Sequence, residues 1–96
     1  MRYGGWVYVM TNKPRGVLYT GVTADIVTRI YQHQQGLGSK YCKRHNLDKL
    51  VYVEDYATIQ EAIAREKAIK AWQRAWKIEL IERANPTWDD LSKALL

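Results

Sequence analysis

The chain has one cysteine, two histidines and two prolines in 96 residues. A lone thiol, Cys42, closes no internal disulfide, and one Cys with two scattered His gives no zinc-ligand spacing. A disulfide scaffold and a structural zinc site are therefore excluded. No apolar run approaches the roughly 20 residues that cross a bilayer. The opening Met1-Arg2-Tyr3-Gly4-Gly5-Trp6 lacks the apolar middle and small-residue cleavage site of a signal peptide. The expectation is a cytoplasmic protein with no membrane partner. Internal repeats and low-complexity segments are also missing. This length allows one core, so residues 1–96 read as a single domain, and an enzyme with a deep small-molecule cleft is disfavoured.

What is present is an ordinary globular composition, 47% hydrophobic and 26% charged, with its charge unevenly placed. Residues 1–50 carry eight Lys or Arg against two Asp, whereas residues 51–96 carry seven basic and eight acidic side chains. The net +5 thus belongs to the first half. Clustered positive charge suits a polyanion, because Lys and Arg neutralise phosphates and release counterions.

Trp6 to Thr11 is β-branched and aromatic, as strands prefer, and Val17 to Val22 is a second such run. Between them Asn12-Lys13-Pro14-Arg15-Gly16 has turn composition, which predicts a β-hairpin. Alternation puts Trp6, Tyr8 and Met10 on one face and Val17, Tyr19 and Gly21 on one face of the second strand. If the faces coincide, Tyr8 and Tyr19 share a surface that Gly21 leaves open beside them.

Thr23 or Asp25 caps a helix that Gly36 stops, with Ile26, Val27, Ile30 and Tyr31 as its apolar stripe. Arg29 and His33 then lie one turn apart on the rim of that stripe. A phenol, a guanidinium and an imidazole are so delivered by adjacent elements within residues 18–33. Residues 36–47 carry two glycines and several cationic groups and read as a mobile basic loop, with Lys40, Lys43 and Arg44 as phosphate contacts. Cys42 lies in that basic stretch, which favours a thiolate, but no motif supports a reactive role.

Leu50 to Tyr56 reads as a third strand, and Thr58-Ile59-Gln60-Glu61 as a capping box. An uninterrupted helix from there to Arg83 would span about 37 Å, so two helices joined near Gln73 are expected. Asn85 ends the second, because the residue before Pro86 is pushed out of the helical region. A short helix opening at Trp88 should pack Trp88, Leu91 and Leu95 on the core. Glu66 lies within the stripe Ile59, Ala62, Ile63, Ile69, Trp72 and Trp76. A carboxylate there calls for an ion pair, with Arg29 one option, for a helix twist that exposes it, or for a hard divalent cation such as Mg²⁺.

Gly5-Trp6-Val7-Tyr8, then Tyr19-Thr20-Gly21, then Arg29 and His33, then Glu66 on a later helix, resembles the GIY-YIG nuclease superfamily, most closely its small single-domain bacterial branch. The resemblance runs over essentially the whole chain. One residue too many separates Gly5 from Tyr8 for a literal Gly-Ile-Tyr, and Thr20 stands where the second triplet has isoleucine. The resemblance implies an α+β fold, a three-stranded antiparallel sheet flanked by helices. It also implies endonucleolytic hydrolysis of DNA with one Mg²⁺ or Mn²⁺ ion held by Glu66, Arg29 clamping phosphate, Tyr8 as general base with Tyr19 hydrogen-bonded beside it, and His33 relaying the proton; the residues themselves do not separate the roles of Tyr8 and Tyr19. Asn85 matches a family asparagine near the active site, although helix termination explains it equally well. Without an appended specificity domain, weak sequence preference is expected. The alternative is a nucleic-acid-binding module with little cleavage of its own.

Overall fold

A computed structural model describes residues 4–95. Residues 1–3, part of the stretch read above for a signal peptide, and residue 96 lie outside the described residues. Strands β1 (Gly5–Thr11) and β2 (Leu18–Thr23) form the expected hairpin, and β3 (Lys49–Tyr56) pairs antiparallel on the other side of β1. The order β2-β1-β3 makes β1 central. At the hairpin turn Thr11 Oγ1 donates to the Lys13 and Val17 carbonyls, Asn12 Oδ1 accepts from the Val17 amide, and Arg15 takes a left-handed conformation (φ 55°). That tip is tied down from outside: Arg15 forks onto Glu82 at 2.8 Å, and Arg74 donates to the Arg15 and Gly16 carbonyls.

The predicted face-sharing is observed, since Tyr8 opposes Gly21 and Met10 opposes Tyr19. On this face Tyr8 and Met10 pack with Ile26 and Ile30 of α1 (Ile26–Gln34), Cys42 of α2 (Lys40–His45), Leu47 and Leu50. The opposite face carries Val7 and Val9 against Ala62 and Ile69 of α3 (Ile59–Ala71) and Ile81 of α4 (Arg74–Ala84). A register shift between Val9 and Met10 makes Val51 a bulge residue, so that Val51 and Tyr52 both join the second face.

Several expectations are corrected. The basic segment is not a loop throughout: Ser39 Oγ accepts from the Cys42 amide, Asn46 closes the far end in a left-handed conformation, and Cys42 and Leu47 anchor helix α2 in the core. Burial pushes the Cys42 thiol pKa up, which disfavours a reactive thiolate. In α1 the inward face is Ile26, Ile30 and His33, spaced i, i+4, i+7, while Val27 and Tyr31 are exposed. His33 is therefore not at a rim but only 4% accessible. Ile63 and Trp76 are exposed rather than core. The break between α3 and α4 falls at Trp72 and Gln73, as expected, because Trp72 turns extended. The last helix, α5 (Ser92–Leu95), starts later than expected. Trp88 sits in a left-handed turn and packs with the Ile81 cluster, while Leu91 and Leu95 pack across the sheet with Tyr8 and Met10.

Two polar clusters lock the second layer. On β3, Glu54 accepts from the Tyr52 and Tyr56 hydroxyls and from Arg65 of α3 in a fork of 3.0 and 3.1 Å, and the Arg65 guanidinium lies 5.0 Å from the Trp72 ring centre. Asn85, buried at the end of α4, donates to the Val51 and Asp89 carbonyls and accepts from the Asp89 amide. Its carboxamide is thus spent on backbone, and Asn85 closes α4 as expected of the residue before Pro86. Replacing it strands buried backbone partners. Asn85→Ala should lower the unfolding free energy in urea by roughly 2–3 kcal/mol while leaving the far-UV spectrum of the folded state unchanged.

Candidate active site

Tyr8 stands at the centre of the central strand and is fully buried. Its ring occupies the space above Gly21, where a Cβ would come within 2.4 Å of the phenol carbon and oxygen. The opening expected beside Gly21 is thus filled by Tyr8 itself. The phenol meets His33 Nε2 at 2.8 Å, joining β1 to α1. Gly38, in the loop between α1 and α2, closes over the other side of the imidazole. A Cβ there would lie 2.6 Å from His33 Nδ1.

The environment moves the two groups in opposite senses, and both are uncharged at pH 7. Burial pushes the Tyr8 phenol up to about 12, a rise that the Arg29 guanidinium opposes. Burial, reinforced by the Arg29 charge, pushes His33 down to about 4. His33 is therefore a neutral imidazole at pH 7; because the Tyr8 oxygen already accepts from Arg29, the favoured tautomer has Tyr8 donating to Nε2 and the imidazole proton on Nδ1, which has no hydrogen-bond partner among the described residues. Arg29 is also incompletely satisfied: Nη1 reaches Gln32 at 3.4 Å, and the buried Nε has no partner. Among the described residues no carboxylate pairs with this half-buried guanidinium, which is therefore short of an anion.

Tyr19 completes an aromatic cluster, its ring centre 6.3 Å from Tyr8 and 5.7 Å from His33. Contact with Tyr8 is ring to ring rather than the hydrogen bond expected. The chain of rings continues from Tyr19 to Tyr41 at 6.2 Å and from Tyr41 to His45 at 4.5 Å. On α2 the exposed Lys40 and Arg44 line one surface hollow with Tyr41, whereas the exposed Lys43 lies against Gly36.

Glu66 approaches from the other layer. Its side chain is 12% accessible and pairs at 3.1 Å with Lys70, not with Arg29. Lys70 Nζ in turn lies 5.9 Å from the Tyr19 ring centre, which links Glu66 to the cluster. The fork of Arg65 on Glu54 fixes the rotation of α3 toward β3, so that the next residue, about 100° further round, serves the β2 side. Among the described residues no group of three or more His, Cys, Asp or Glu could hold a metal ion. One nearly buried carboxylate does fit a hard divalent ion that keeps several waters, as Mg²⁺ does, and does not fit zinc.

The structure thus gathers Tyr8, Tyr19, Arg29 and His33 directly and Glu66 through Lys70. Sequence reasoning missed Lys70 and Gly38. The spacing of Glu66 and Lys70 at i, i+4 was a readable signal, whereas nothing local marks Gly38 as packing on His33.

Residues 4–79 match the family profile described as the GIY-YIG catalytic domain. A UPF0213 protein of Staphylococcus epidermidis is 42% identical over 67 residues, covering 70% of this chain and 82% of its own length. One of Staphylococcus saprophyticus subsp. saprophyticus is 42% identical over 76 residues, covering 79% and 92%. One of Staphylococcus aureus is 43% identical over 67 residues, covering 70% and 82%. No solved structure matches the chain.

The buried neutral imidazole ties stability to pH. The unfolded chain takes up a proton near the ordinary value of 6.5 and the folded chain only near 4, so the stabilisation is complete above pH 6.5 and is lost as pH falls toward 4. The melting temperature should fall over that window, and His33→Gln should flatten the part between pH 6.5 and 5, above the range of the carboxylates. Gly21→Ala, which drives a methyl into the Tyr8 ring, should cost about 1–3 kcal/mol in the same melting experiments.

Proposed function

The chain belongs to the GIY-YIG catalytic-domain family, a nuclease superfamily, and on that premise we propose that it is an endonuclease hydrolysing DNA phosphodiester bonds with a divalent ion and little sequence preference. The observation that carries this reading is the Arg29 guanidinium, half-buried beside the Tyr8–His33 pair with its Nε unpartnered. A phosphate supplies the missing anion, and a planar fork of permanently charged donors suits its oxygens.

In the free protein Tyr8 is covered, and Arg29 contributes to its surroundings. A phosphate that takes the guanidinium draws it from the phenol and lets water reach Tyr8. The water oxygen then bonds to phosphorus as the bond to the 3′ oxygen breaks, and the departing 3′ oxygen takes a proton from solvent. The water proton passes to the Tyr8 oxygen, and the Tyr8 proton passes to His33 Nε2. With the phenol near 12 and the imidazole near 4, a separated tyrosinate–imidazolium pair is too costly to precede attack, so both transfers accompany it. Tyr19, half-buried beside this pair, orients the water. Glu66 would hold Mg²⁺ or Mn²⁺, which when bound supplies positive charge to the phosphate and to the departing oxygen. Lys40, Lys43 and Arg44 on α2 hold flanking phosphates, a contact that carries no sequence information.

Labelled single-stranded, duplex and branched DNA incubated with Mg²⁺, Mn²⁺ or chelator tests the reading. Cleavage should require the ion, disappear in Glu66→Ala, and fall about 10²–10³-fold in Arg29→Ala with folding retained. Tyr8→Phe should cost about 10²–10⁴-fold and Tyr19→Phe less. The reverse order assigns the base to Tyr19, and salt-sensitive binding without cleavage of any substrate would leave a binding module instead.

A further inference from the structure

Lys70 has no part in the chemistry above, yet it touches two of the residues involved. It follows Glu66 by one turn of α3, its Nζ 3.1 Å from Glu66 Oε2 and 5.9 Å from the Tyr19 ring centre. Ordinary surface pairs of this spacing stabilise a helix by a few tenths of a kcal/mol, because both ends are solvated. Glu79 and Arg83 on α4 are such a pair, with 66% and 74% of their side chains accessible. The Glu66–Lys70 pair differs in kind. Its carboxylate is 12% accessible, and its ammonium lies over an aromatic ring whose electron-rich face adds a second attraction.

That placement bears on cation binding. A carboxylate oxygen already facing an ammonium offers a second cation less charge, and the second cation meets the repulsion of the first. Nothing nearby dilutes the effect, because among the described residues no cluster of His, Cys, Asp or Glu stands ready to share a metal. The amine is also free to leave, since half of the Lys70 side chain is accessible and its stem is flexible.

We propose that Lys70 is a resident counter-cation that occupies Glu66 in the free protein, so that a divalent ion binds there firmly only once a DNA phosphate draws the ammonium away. This inference rests on the reading of Glu66 as the metal-holding residue. It assigns Lys70 a positioning role, acting through Glu66, and makes metal and DNA binding mutually reinforcing.

Mn²⁺ binding to the purified full chain without DNA, read from the electron paramagnetic resonance signal of the free ion, tests it in five proteins: wild type, Lys70→Met, Lys70→Gln, Glu66→Gln and the double variant of Lys70→Met with Glu66→Gln. Lys70→Met keeps the aliphatic stem and should bind Mn²⁺ about tenfold more tightly than wild type, the effect of removing one partly screened charge beside a divalent ion. Lys70→Gln should show the same direction of change, and the double variant should lose the gain. Unchanged or weaker Mn²⁺ binding in both Lys70 variants, with Glu66→Gln still weakening it, overturns the role of Lys70 while leaving Glu66 as the metal-holding residue. Equal binding in all five proteins, or a gain that persists in the double variant, overturns the reading of Glu66 itself.

Discussion

The hydrogen bond between the Tyr8 phenol and His33 Nε2 is the interaction on which the rest of this structure depends. It is a polar contact placed in the middle of a hydrophobic core, between the central strand and the first helix. Both rings are nearly inaccessible, so neither group has water to fall back on. Losing one partner would leave the other buried and unsatisfied, which is costlier than the net worth of the bond. Two glycines make the arrangement sterically possible. Gly21 makes room for the phenol across the hairpin, and Gly38 lets the chain after α1 close against the imidazole. The core of this small protein and its candidate site are therefore the same cluster, and the rotation of α1 is set by chemistry as much as by apolar packing.

The opposite layer solves a different problem. There the helices α3 and α4 are held by forked ion pairs and by backbone hydrogen bonds from Asn85, with Arg65 on Glu54 and Arg15 on Glu82 as the main ties. Burial alone would raise the Glu54 pKa, but Arg65 and the two tyrosine hydroxyls more than offset it and hold the carboxyl low. The carboxylate thus stays charged while α3 is pinned to β3. Glu66 inherits its position from that tie, although it serves the other edge of the sheet.

Much of this was legible in the sequence, for identifiable reasons. Strand alternation showed which residues share a face within each strand but left the register open: the connection runs from Asn12 to Val17, one residue longer than the turn read from composition, and that residue sets Met10 opposite Tyr19. The break before α4 followed from the length that one helix would have needed. The Thr58 cap was read correctly because its partner, Glu61, is three residues away. What failed to show was whatever tertiary contact decides. Val27 and Tyr31 are as apolar as Ile26 and Ile30, so periodicity alone could not tell that α1 turns His33 inward. Helix α2, six residues long, is shorter than a periodic pattern needs. The ordered residues Tyr8, Tyr19, Arg29, His33 and Glu66 were nameable, but their separation into a direct cluster and a carboxylate reached through Lys70 was not.

Strand β2 lies at a free edge of the sheet, and such an edge invites pairing with the strand of another molecule. Tyr19 projects from that strand, with Tyr41 against its ring on one side and the Lys70 ammonium near it on another. A foreign strand seeking to extend the sheet there would have to dislodge a helix-borne aromatic and strip water from a lysine. The side chains gathered at this margin thus stand in the way of edge-to-edge pairing, and removing them would expose the backbone of β2 to it.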